Sequence, residues 1–129
     1  MGMDKQKTGQ FGEKIACRHL GSKGYRIIER NLRESWGEID VIARAPEGAL
    51  IFVEVKTVNN ERETFKPEDH YSWDKARKTK RAVQLFIGQY PNLVYENAGF
   101  RIDLITIVLT NPLLTENPKN YKIRHYENV

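Results

Sequence analysis

The chain has 129 residues, with 21 lysines and arginines against 17 acids and a net charge of +4; the length fits a single domain, residues 1–129, that can bury a proper core. Its charge is mixed and its apolar content ordinary, which excludes a disordered chain, and the mild basicity is compatible with nucleic acid without being diagnostic of it. The single Cys17 excludes an internal disulfide and a cysteine zinc cluster, and without a signal-peptide core or an apolar run of membrane length the expected setting is a reducing cytoplasm.

Residues 1–8 are polar and read as loose. Residues 9–23 read as a helix, with Thr8 or Gly9 near its start and Gly24 just past its end. Phe11, Ile15, Ala16, His19 and Leu20 form its apolar stripe, Glu13 borders the stripe, and Cys17 falls outside it. Residues 25–33 read as a strand, 34–37 as a polar turn, 38–57 as a hairpin and 59–71 as a polar loop of unusual length. Residues 72–90 read as a second helix capped by Ser72 and stopped by Pro91. Ala76, Thr79, Val83, Phe86 and Tyr90 share the face expected to meet a sheet. Lys75, Arg77, Lys78, Lys80 and Arg81 oppose only Asp74, and Arg77, Lys78 and Arg81 lie farthest from the apolar stripe. Residues 100–109 read as a central strand, 110–120 as a Pro/Asn-rich loop and 121–126 as a short last strand. This order predicts an α/β layer structure, a mixed central sheet of about five strands flanked by α-helices.

The hairpin carries the chemistry. Pro46 and Gly48 suit a three-residue loop closed by Ala45 and Ala49. Counting outward, Ile42 faces Phe52, Asp40 faces Glu54 and Glu38 faces Lys56, with opposed Cβ atoms about 4.5–5.5 Å apart. Ile39, Val41, Ile51, Val53 and Val55 then form the opposite, core-facing side. Like charges set across from each other repel unless a cation lies between them, and two hard oxygen ligands suit Mg²⁺. The blander alternative is a solvated face in which Glu54 and Lys56 balance their neighbours. Two features weigh against it: Asp is a poor strand residue, and the apolar Ile42 and Phe52 share the face.

Glu13, Asp40, Glu54 and Lys56 together resemble the PD-(D/E)xK nuclease layout, in which an acid and an (E/D)-x-K pair lie on adjoining strands. The matching stretches are Thr8-Gly9 with Glu13, Ala16 and Leu20; Gly24-Tyr25; Arg30-Asn31-Leu32-Arg33; Gly37-Glu38-Ile39-Asp40-Val41-Ile42; and Phe52-Val53-Glu54-Val55-Lys56-Thr57. Arg101-Ile102-Asp103 and Ile123-Arg124-His125 extend them, so the likeness spans nearly the whole chain. More closely, the chain resembles the YraN-like proteins, a bacterial family of predicted endonucleases related to archaeal Holliday junction resolvases. Ile39 stands where the wider nuclease pattern has proline before Asp40.

The resemblance implies a restriction-endonuclease-like domain that cleaves structured or branched DNA with Mg²⁺ (or Mn²⁺) and no small-molecule cofactor. Asp40 and Glu54 would be direct metal ligands, with the Val55 carbonyl as a third. Lys56 would orient water or meet developing negative charge, Glu13 would hold a metal-bound water or a second metal, and Glu38 would position Lys56. Arg30, Arg33, Lys75, Arg77, Lys78 and Arg81, joined by Arg101, would contact the phosphate backbone without reading sequence; a merely solvated basic face is the commoner fate of such a run. Related resolvases are dimers, and Leu85 on the polar side of the second helix is a candidate homodimer contact. No membrane partner is expected. The alternative is a non-catalytic nucleic-acid-binding module that keeps the nuclease fold; a weaker third option is an adaptor acting through a partner protein. His19 reads as a packed histidine, His70 as solvated, and His125 as lacking any partner at metal-ligand spacing.

Overall fold

A computed structural model describes residues 5–58, 72–110 and 120–129. Helix α1 (Lys5–Ser22) is followed by strands β1 (Arg26–Glu34), β2 (Gly37–Arg44) and β3 (Leu50–Val58), helix α2 (Trp73–Gln89), and strands β4 (Phe100–Leu109) and β5 (Tyr121–Tyr126). The five strands make one sheet in sequence order. β3 and β4 run parallel and every other neighbouring pair is antiparallel. The sheet is therefore mixed, with α2 in the crossover that a parallel pair requires. The expected loops at 59–71 and, but for its ends, 110–120 lie outside the described residues, as do residues 1–4.

Local chemistry sets the element ends. α1 begins at Lys5, earlier than the polarity of residues 5–8 suggests, because Thr8 is buried rather than loose. It closes where Gly24 takes φ +86° and the Tyr25 N–H returns to the Leu20 carbonyl, an end that glycine supplies without strain. The Ser72 hydroxyl accepts from the Lys75 N–H and caps α2. The hairpin loop is the expected one: Ala45 N–H donates to Ala49 O, Gly48 N–H donates to Ala45 O, and Gly48 sits at φ +103°.

Two cores lie on opposite faces of the sheet. On one, Ile15, Ala16 and Leu20 of α1 pack against Val41, Ile51, Val53, Ile105 and Ile107. On the other, Ala82, Val83 and Phe86 of α2 pack against Ile39, Ile42, Phe52 and Ile102. Cys17, placed outside the stripe by the helical wheel, packs against the α1 core as a free thiol. Tyr90 is the converse, half exposed with its ring on Phe86 at 4.9 Å.

The placement of Ile39 corrects a simple alternation. Val41 belongs to the α1 core and Ile39, two residues earlier, to the α2 core. The cross-strand pairs Arg30↔Val41 and Leu32↔Ile39 flank the change. Between them Asn31 holds φ +52°, the left-handed region that asparagine tolerates better than most residues. The β1–β2 ribbon thus turns over at Asn31 and Asp40, and its inner and outer sides exchange.

Candidate active site

The β2–β3 ladder runs in the expected register from Arg44↔Leu50 through Ile42↔Phe52 to Val41↔Val53, and stops there. Beyond that point β2 pairs only with β1, while β3 continues beside β4 to Val58. The two strands part like a fork, and the candidate residues collect where they separate. The Asp40 side chain replaces the next ladder bond, its Oδ2 accepting from the Val55 N–H at 2.9 Å.

This fork opens into a cleft of ≈ 510 Å³ lined by Thr8, Gly9, Glu13, Glu38, Asp40, Glu54, Val55, Lys56, Thr57, Val58 and Lys75. α1 supplies Glu13 from one side of the sheet and α2 supplies Lys75 from the other. α1 can come this close because it meets β3 at Gly12, where an added Cβ would stand 1.7 Å from Thr57 Oγ1.

The electrostatics are those of crowded acids. Burial and the neighbouring Glu54 charge raise the Asp40 carboxyl from 3.8 to about 7, against the Val55 hydrogen bond that favours its ionised form. Burial also raises Glu13; Arg30 and Arg33 oppose that rise, and Glu38 and Glu54 add to it. Among the described residues, Lys75 touches the acid pair directly, with Nζ 2.6 Å from Glu54 Oε1. Burial disfavours the Lys75 ammonium, but the Glu54 hydrogen bond and the charges of Glu54, Asp40 and Glu38 outweigh it and hold its pKa above the ordinary lysine value.

Several sequence-derived placements need correction. Glu38 does not pair with Lys56; it stands across from Arg33 of β1, with Arg33 Nε 4.0 Å away and both side chains largely exposed. The strands have already diverged at that point. Lys56 lines the cleft and makes no ion pair with any described residue. Lys75, read as one of an outward basic row, turns inward to Glu54. Arg77, Lys78 and Arg81 remain exposed, with Arg77 near Asp74 at 3.4 Å and over the Trp73 ring at 5.3 Å. Arg30 and Arg33 are exposed on β1. Two groups were given no part in the site by the sequence: the Thr8 and Thr57 hydroxyls, both buried without a partner beside the cleft.

Arg101 is not an outward-facing cation but is engaged within the fold. Its guanidinium binds buried Asp103 at 3.0 Å, Glu47 at 2.9 Å, Glu127 at 2.7 Å and the Tyr25 hydroxyl at 2.6 Å. His125 Nε2 lies 2.7 Å from Asp103 Oδ2 and the Asn128 N–H donates to Oδ1, so His125 serves as a partner of a buried carboxylate. This knot ties β4, β5, the hairpin turn and the start of β1 together, so Arg101, Asp103 and His125 of the matching stretches are structural here. His19 packs edge-on to the His125 ring at 5.9 Å.

The profile of the uncharacterised protein family UPF0102 matches residues 12–107. The chain belongs to this family. It is the YraN-like group that the motifs resemble. UPF0102 relatives include a protein of Pelobacter propionicus, 37% identical over 98% of this chain and 84% of its own. Another, from Clostridioides difficile, is 38% identical over 83% and 90%, and one from Corynebacterium efficiens is 31% identical over 100% and 96%. Among solved structures, a chain of the EndoMS complex with dsDNA is similar over 71% of this chain and 34% of that one, at TM-score 0.43 and 13% identity. SfsA of Pyrococcus furiosus, solved with Ca²⁺, is similar over 96% and 64%, at TM-score 0.39 and 18% identity. No helix among the described residues is long and apolar enough to cross a membrane.

Among the described residues no three His, Cys, Asp or Glu side chains form a ready-made metal cage. Asp40 and Glu54 nonetheless offer hard oxygen donors of the kind a divalent cation such as Mg²⁺ takes. Two carboxylates at a cleft mouth suit an ion that keeps several waters and completes its shell with substrate oxygens. Mutual repulsion between the two carboxylates, on top of burial, favours a proton on Asp40, and two unpartnered hydroxyls lie beside the pair.

Proposed function

We propose that this UPF0102 chain is a divalent-metal-dependent endonuclease that hydrolyses phosphodiester bonds in structured or branched DNA. One observation carries the reading: Glu13, Asp40, Glu54 and Lys56 line a single cleft where β2 and β3 part. Asp40 and Glu54 would hold Mg²⁺ or Mn²⁺, with the Val55 carbonyl beside them. When bound, the ion would act as a Lewis acid on the phosphate and lower the pKa of water. Lys56, which lines the cleft free of ion pairs with described residues, would orient a water or meet negative charge on the phosphate. Glu13 would hold a metal-bound water or a second metal. Exposed Arg77, Lys78 and Arg81, with Arg30 and Arg33 on β1, supply cations for the phosphate backbone.

The test is cleavage of a panel of branched, nicked and single-stranded DNAs with Mn²⁺, comparing native protein with Glu54→Ala and Asp40→Ala. The reading expects cutting by the native protein alone; unchanged cutting by either variant refutes the assignment. A second reading, a binding module without catalysis, is favoured by the Lys75 pair that already neutralises Glu54. It predicts DNA binding with no Mn²⁺ affinity that depends on Glu54.

A further inference from the structure

Lys75 occupies an unexpected phase of α2. The core-facing residues Ala82 and Phe86 follow it at seven and eleven positions, the spacing of one helical stripe. A lysine on that stripe loses hydration and is tolerated only when a partner meets it. Its partner is Glu54, a candidate metal ligand, at 2.6 Å. The Ser72 cap fixes the first turn of α2, so the ammonium reaches the cleft from a set position. Its flexible stem also lets it move away, as a planar bidentate arginine clamp would not.

We propose that Lys75 is a tethered counter-ion: it holds the Glu54 carboxylate in competition with a divalent cation, and when displaced it serves the phosphate backbone alongside Arg77, Lys78 and Arg81. The proposal rests on the metal-dependent reading above. An ammonium on Glu54 Oε1 and a divalent cation on the same carboxylate repel each other, so cation binding works against the Lys75 contact. The displaced group stays on the helix that carries the exposed basic row. Metal and polynucleotide binding are then coupled through a single side chain, and each strengthens the other.

The experiment measures Mn²⁺ affinity by electron paramagnetic resonance for native protein, Lys75→Met, Lys75→Arg and Glu54→Gln, with a thermal melt confirming that each variant is folded. Binding of a short labelled duplex is measured with and without Ca²⁺. Lys75→Met is expected to bind Mn²⁺ at least about fivefold more tightly, the scale of one charged hydrogen bond removed, while Lys75→Arg does not. Ca²⁺ is expected to raise duplex affinity more in the native protein than in Lys75→Met. Mn²⁺ affinity that Glu54→Gln abolishes but Lys75→Met leaves unchanged or weakens overturns the Lys75 role and spares the metal site. Folded native and Lys75→Met proteins that both fail to bind Mn²⁺, or a Glu54→Gln variant that binds as well as native, overturn the metal reading and this inference together.

Discussion

Replacing Asp40 with asparagine should make the protein more stable at neutral to alkaline pH, because the native carboxylate is held where it is unwelcome. Its pKa rises from 3.8 to about 7 through burial first and the Glu54 charge second. The unfolded chain loses this proton near the ordinary value. Between the two values the folded state keeps a proton that the unfolded state has released, so stability falls as pH rises through that window. At about 1.36 kcal/mol per pH unit, the destabilisation above pH ~7 reaches about 4 kcal/mol as an upper figure. Asparagine retains an oxygen for the Val55 N–H and removes the charge. Urea denaturation followed by circular dichroism should show Asp40→Asn more stable than native by about 2–4 kcal/mol near pH 8, a rise of ~10 °C in Tm. The gain should fade to nothing by about pH 4. Saturating Mg²⁺ should stabilise the native protein and not the variant. A variant equally or less stable near pH 8, or a difference that does not change with pH, refutes the account of the acid pair.

Other expectations follow from packing and charge. Gly12→Ala places a Cβ 1.7 Å from Thr57 Oγ1, forcing α1 off β3; thermal melts should show a loss of about 1–3 kcal/mol, partly recovered in Gly12→Ala with Thr57→Ala. Asp103→Ala leaves His125 without its carboxylate and Arg101 with Glu47 and Glu127 alone, and should cost about 2–4 kcal/mol in denaturant melts. Burial alone would raise the Asp103 pKa, but hydrogen bonds from His125, the Asn128 N–H and Arg101 hold it below the ordinary value. Its stabilising contribution is therefore present above the ordinary carboxylate pKa and lost as pH falls through the depressed one, so acid titration of stability should lose that limb in the variant. The triple variant Arg77→Ala, Lys78→Ala, Arg81→Ala should lower the slope of log DNA affinity against log salt by about three; an unchanged slope would remove these cations from the interface.

The hairpin register was legible because Pro46 and Gly48 dictate the loop, and loop length dictates which residues oppose. The five strands and α2 were legible from periodicity and from Ser72 and Pro91 at the helix ends. The turnover at Asn31 was not, since alternation counts assume a ribbon that keeps its sides and a single left-handed asparagine undoes that assumption. Lys75 was misread because composition marked the whole run as basic, although its phase on the helix sets it on the stripe with Ala82 and Phe86. The Asp103 knot was invisible because its partners lie up to 76 residues apart along the chain, and only the sheet brings them together.

The turnover at Asp40 has a mechanical consequence. Each helix rests on its own oily layer, and each sends one charged arm through the gap where the strands diverge. The positions of Glu13 and Lys75 about the strand-borne acids thus register the seating of both layers, like the needle of a balance. A methyl group deleted from either side, at Val83 or at Ile15, would shift the proton affinity of Asp40 without touching it. Selection on the acids would then constrain apolar side chains far from any substrate.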